Sequence, residues 1–103
     1  MSVWTSIIAE IRIKDFRAYD DKDVSAFFDL VINDSPKITG SEEDARIFIR
    51  INNTPKQTCE ITLRVIGNLR DRSQEDTEQE FNKFLDWLSD KSYLIKQVIC
   101  CIE

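Results

Sequence analysis

The sequence predicts an α+β domain of the ferredoxin-like βαββαβ kind, a four-stranded antiparallel sheet with two helices on one face. Three observations carry that prediction. Apolar residues alternate with polar ones at period two around 3–13, 46–51 and 61–65. They change to i, i+3, i+4, i+7 spacing in two other segments, 24–31 and 81–88. The periods follow the order strand, helix, strand, strand, helix and a last apolar strand, the split βαβ arrangement with its first and third strands at the centre. At 103 residues the chain has room for one core, so 1–103 is expected to be a single domain.

The first strand shows in Val3, Ile7, Ala9, Ile11 and Ile13 at odd positions, set against Ser6, Glu10, Arg12 and Lys14 at even ones. Asp20, Asp21 and Asp23 offer N-caps for a helix over 22–32, whose apolar stripe is Val24, Phe27, Phe28 and Val31. It must end before Pro36, which has no N–H to give a helix. The polar run 39–44 connects it to a second strand, where Ile47, Ile49 and Ile51 alternate with Arg46, Phe48 and Arg50. At 52–56 Pro55 fixes φ and the asparagines tolerate left-handed geometry, so a turn leads into Ile61, Leu63 and Val65 of strand three. Keeping both sets of apolar residues on one face of this hairpin requires paired residue numbers to sum to an even value, which a loop of about three or five residues satisfies. Ser73, followed by Glu75 and Asp76 in the first turn, caps a second helix over 75–89 with Phe81, Phe84, Leu85 and Leu88 as its stripe. The last strand, 93–102, is almost continuously apolar, which fits a strand covered on both faces or paired at a protected edge and leaves its facing open.

Composition narrows the function classes. Hydrophobic residues at 42 % and charged residues at 32 % are ordinary for a globular chain and too apolar for a disordered one. No apolar run approaches the length of a membrane span, and 1–13 lacks the basic stretch and apolar core of a signal peptide, so a cytoplasmic protein is expected. The three cysteines are odd in number and include an adjacent pair, which favours reduced, buried, inert thiols. With no histidine, no imidazole is present to activate a serine or cysteine or to bind a metal, so no enzyme activity and no cofactor is expected. The net charge of −5 resides in 71–90, and no basic stripe of the kind that binds phosphate backbones is visible. Direct nucleic-acid binding is disfavoured.

The sheet face away from the helices is the most informative surface. By parity it carries Trp4, Ile8, Glu10 and Arg12, then Arg46, Phe48 and Arg50, then Glu60, Thr62, Arg64 and Ile66. Its two central strands lack the stacking aromatics of an RNA platform. With the shortest suitable hairpin loop, of about three residues, Arg50 faces Glu60 and Arg46 faces Arg64, and a like-charge pair calls for an anionic neighbour. The ordinary neighbour is Glu10 or a helix carboxylate. The sharper one is a partner's acidic side chain or an anionic small molecule held by Arg12, Arg46 and Arg64. Trp4, Ile8, Phe48 and Ile66 among those charges suit a protein interface or self-association, or are simply scattered exposed hydrophobes.

Other charged groups read more plainly. The helix-two carboxylates Glu75, Asp76, Glu78, Glu80, Asp86 and Asp90 are too sparse to imitate a nucleic-acid backbone. Glu42, Glu43 and Asp44 lack the spacing of a calcium loop. Cys100 and Cys101 point to opposite faces of a regular strand and cannot share a metal. Arg70, Asp71 and Arg72, between strand three and helix two, are expected to bridge one another.

The opening MSVWTSI at 1–7, PKITGSE at 36–42 and LRDR at 69–72 resemble small uncharacterised proteins encoded by phages and prophages of Gram-positive bacteria. That resemblance extends over the chain's length and its order of elements. It implies a non-enzymatic accessory protein that acts by binding a host or phage component, and it assigns no functional residue.

Overall fold

The alternation in the strands sorts side chains onto two faces, and the computed structural model, which describes residues 3–17, 21–53, 58–91 and 94–103, shows which face is covered. Six elements follow in order: β1 (Trp4–Arg17), α1 (Asp21–Asp34), β2 (Arg46–Asn53), β3 (Thr58–Arg70), α2 (Gln74–Asp90) and β4 (Leu94–Ile102). The strands form one antiparallel sheet in the order β2-β3-β1-β4, so β1 and β3 are central and β2 and β4 are edges. Asp20, Pro55 and Tyr93, to which the sequence assigns roles, lie outside the described residues.

The odd-numbered face of the central strands is buried. Ile7, Ile11, Ile61, Leu63 and Val65 are inaccessible to solvent and cluster with Phe27 and Val31 of α1 and with Phe81, Phe84 and Leu88 of α2. Both helices therefore cover the same side. Fully burying one such side chain contributes on the order of 1.5–3 kcal/mol, which is why parity fixes the register so firmly.

The hairpin register obeys the even-sum rule, with Ile47 opposite Val65, Ile49 opposite Leu63 and Ile51 opposite Ile61. Its last pair is Asn53 with Cys59, a wider connection than the three-residue loop. Arg46 consequently faces Ile66, Phe48 faces Arg64 and Arg50 faces Thr62. This is the longer of the two loops that parity allows, so the opposition of Arg46 and Arg64 that the shorter loop would give is corrected: a two-residue shift keeps the faces and changes every cross-strand partner.

Local chemistry sets the helix ends. Ser73 accepts a hydrogen bond from the Asp76 N–H at 3.0 Å, and the buried Thr77 hydroxyl donates to the Ser73 carbonyl at 3.0 Å. At the end of α1 the Ser35 hydroxyl donates to the Val31 carbonyl, and Lys37 Nζ donates to the Ile32 carbonyl at 2.6 Å. Gly67 is required by close approach, because a Cβ there would lie 2.9 Å from both Cα and Cβ of Ala45. No helix among the described residues is long and apolar enough to cross a membrane.

The central strands are longer than their sequence signal. β1 runs to Arg17 and β3 spans Thr58–Arg70, because backbone pairing continues past the alternating apolar residues of 3–13 and 61–65. Opposite Arg12 and Ile13 the β4 register shifts, with Gln97 and Ile95 as their partners and Lys96 as the extra residue of a bulge.

Candidate functional site

The register places the open face in rows. Arg46, Ile66, Ile8 and Cys101 form one, Phe48, Arg64, Glu10 and Ile99 the next, and Arg50, Thr62, Arg12 and Gln97 a third. All seven residues singled out by sequence, Trp4, Ile8, Arg12, Arg46, Phe48, Arg64 and Ile66, lie on the strand positions that face away from the helices. Ile8 is 63 % exposed and Phe48 51 %, with Trp4 and Ile66 only slightly more covered. Trp4 stands apart at the end of the sheet, opposite Arg70, whose guanidinium lies 5.9 Å from the indole centroid.

Charges on this face are largely answered from within the chain. Arg64 Nε lies 3.8 Å from Glu10 Oε1, and Arg46 Nη2 lies 3.8 Å from Glu43 Oε2. The ordinary explanation for those two arginines therefore applies. Lys96 Nζ lies 3.5 Å from Glu60 Oε1 without forming a hydrogen bond to that oxygen, so the pair is electrostatic only. An exposed pair such as Arg46 with Glu43 contributes about 0–1 kcal/mol and can be exchanged for a partner's charges at little cost. Arg12 and Arg50, on either side of the buried Thr62, have no ion-pair partner among the described residues.

Sequence reasoning missed the contribution of β4. Ile99, 53 % exposed, Gln97 and Cys101 extend the open face. The uniformly apolar run hid their parity, and the bulge at Lys96 breaks any count carried across it. Among the described residues β4 is neither covered on both faces nor paired at a protected edge: it is an edge strand with β1 as its one neighbour and with Val98, Ile99, Cys100 and Cys101 all exposed.

The two cysteines do face opposite ways, Cys100 opposite Ala9 and Cys101 opposite Ile8. They are exposed, which corrects the expectation of buried thiols. Both thiols have pKa values raised above the ordinary range. For Cys100 desolvation leads, followed by repulsion from Cys101 and Glu78. For Cys101 repulsion from Glu103 leads, followed by desolvation and the 3.6 Å hydrogen bond its Sγ donates to Glu103 Oε1.

Arg70, Asp71 and Arg72 bind back to the α1–β2 connection rather than only to one another. Glu80 accepts from the Thr39 N–H at 2.7 Å and its hydroxyl at 2.8 Å, Arg72 Nε donates to Thr39 Oγ1 at 3.4 Å, and Ser41 Oγ donates to Asp71 Oδ2 at 2.9 Å. Arg70 pairs with Glu42, and Asp71 turns the chain at a positive φ of 60°. This polar cluster fastens the loop onto the sheet end. Among the described residues no group of three or more acidic, cysteine or histidine side chains is placed to hold a metal ion.

Two grooves flank the sheet on its helix side. One, of about 380 Å³, lies against β2 between Ile32, Ile38, Ala45 and Ile47. The other, of about 390 Å³, lies between α2 and β4, lined by Phe81, Leu85, Val98, Cys100 and Ile102 with Glu78 and Asn82 at its rim. No protein-family model matches the chain, and no curated protein matches it significantly.

Proposed function

We propose that this chain is a small non-enzymatic binding protein of ferredoxin-like topology whose open sheet face takes a partner protein, serving as a cytoplasmic accessory factor of a phage or prophage. The strand order β2-β3-β1-β4 supports the topological reading. One observation carries the functional reading: Ile8, Phe48, Ile66 and Ile99 stand exposed on one regular face, interleaved with Arg12, Arg46, Arg50 and Arg64. Aromatic and aliphatic anchors between arginines are the composition of interface centres, and the arginine forks suit carboxylates on the partner.

The test is affinity capture from cell lysate with the tagged chain and with an Ile8→Ser, Phe48→Ser double variant whose circular dichroism matches the original. Loss of one captured protein in the variant is expected; an identical capture moves the interface to another surface. A second reading, an anionic small molecule sequestered on the sheet, is favoured by Arg12 and Arg50 on either side of Thr62. Phosphate or a nucleotide should then raise the melting temperature, and an Arg12→Ala, Arg50→Ala variant should lose that rise. A melting temperature indifferent to both ligands in the parent chain ends the second reading.

A further inference from the structure

We propose that the free edge of β4 pairs antiparallel with β4 of a second copy, about a two-fold axis at Cys100, to give one continuous eight-stranded sheet. The backbone sets the register. Ser6 and Glu103 exchange both backbone hydrogen bonds at 3.0 Å, so Glu103 turns its N–H and C=O toward β1. By the alternation of an antiparallel ladder, Cys101, Ile99 and Gln97 do the same, and the backbone groups of Val98, Cys100 and Ile102 point outward. An axis at Cys100 opposes Val98 to Ile102 of the second copy and Cys100 to its own counterpart, which satisfies each of those outward groups.

Beyond the bulge at Lys96 the edge lacks the devices that keep sheets apart. Residues 94–102 contain no proline and one charge, Lys96, which sits at the bulge where the regular stretch ends. The other edge strand, β2, carries Arg46 and Arg50 on its open side. β4 also presents apolar surface on both faces, with Val98 39 % and Ile99 53 % exposed. On the helix side, Val98 and Ile102 of each copy would close the groove between β4 and α2. On the open side, Ile99 meets Cys101 of the second copy.

The charges of the strand are self-complementary. Lys96 reaches Glu60 and Glu103 reaches Cys101, so both charged side chains stand on the open side, near opposite ends of β4. Antiparallel pairing brings Glu103 of one copy opposite Gln97 and beside Lys96 of the other, twice over. A parallel pairing would align like charges. The proposal does not rest on the reading of the open face, because paired β4 strands leave Trp4, Phe48 and Ile66 of both copies uncovered.

In a hydrogen-bonded antiparallel pair the Cα atoms lie about 5.5 Å apart, within the span of a disulfide. Only Cys100 meets its counterpart at that separation, since Cys101 is opposed to Ile99. The full chain is therefore treated with diamide, which takes up two electrons and two protons as two Cys100 thiols form one S–S bond. A covalent dimer is expected that Cys100→Ser abolishes and that Cys101→Ser and Cys59→Ser retain. Sedimentation under reducing conditions should show a dimer that Val98→Lys converts to monomer and Ile8→Lys leaves intact, with circular dichroism confirming that each variant folds. A cross-link that survives Cys100→Ser, a reduced chain that is monomeric across the micromolar range, or a dimer broken by Ile8→Lys and not by Val98→Lys overturns the proposal. A monomer whose β4 edge accepts an extended peptide would overturn it in favour of strand addition by another protein.

Discussion

Cys100 and Cys101 are chemically identical neighbours that the pleat sends to different surroundings, one beside α2 and one onto the open face. Their raised pKa values have different leading causes, desolvation for Cys100 and the Glu103 carboxylate for Cys101, with one consequence: less thiolate than an ordinary cysteine at the same pH. Alkylation by iodoacetamide should therefore run slower at both positions than for free cysteine near neutral pH, and the difference should shrink as pH rises through the raised values. Mass-resolved labelling over a pH series checks this; a Cys101 that labels faster than free cysteine would show that Glu103 does not govern it. At this scale the sequence showed which face the residues of β1, β2 and β3 take, left those of β4 open, and concealed most cross-strand neighbours. Arg46 and Arg64 were placed on the correct face, and Glu10 was named as a neighbour for them. Glu10 meets Arg64 through the β1–β3 register, whereas Arg46 pairs with Glu43 in the connection just before β2; what parity leaves free by steps of two is which β3 residue each β2 residue opposes.

Elements were legible in proportion to how their ends are chemically marked. Helix α2 begins where Ser73 stands as the cap, because only there does a hydroxyl meet a free N–H with Glu75 and Asp76 in the first turn. Ser73→Ala should cost about 1 kcal/mol in urea denaturation, and Ser73→Asp, which keeps an acceptor at the cap, should recover most of it. Equal losses in the two variants would mean that the cap is not what holds the first turn. β4 had no such marks. Its apolar run offers neither period, and edge or centre is decided by the chain's path through the sheet, which no local pattern records. The same holds for the overlong ends of β1 and β3, where hydrogen bonding continues after the alternation fades.

The molecule as a whole measures 52 × 23 × 21 Å, far longer than wide. The 14 residues of β1 account for this, since an extended strand of that length spans about 46 Å. The 17 residues of α2 reach only about 26 Å, so the central strands run past the helices that cover them. Yet Phe27 of α1, Phe84 of α2 and Ile11 and Leu63 of the sheet belong to one buried cluster, and removing any part exposes the rest. The chain should accordingly unfold as one cooperative unit. Its two tryptophans test this from separate places: Trp87 stacks near Phe84 at 6.3 Å between centroids, and Trp4 lies at the sheet end on the open face. Urea transitions followed by Trp4 fluorescence in a Trp87→Phe chain, by Trp87 fluorescence in a Trp4→Phe chain, and by circular dichroism in each should coincide within that chain. Phe84→Ala, which empties the centre of the cluster, should lower stability by about 3–5 kcal/mol as seen by every probe. A Trp4 transition that keeps its midpoint while the Trp87 signal moves would mean that the sheet end folds apart from the helix-covered core, and the single-domain reading would fall with it.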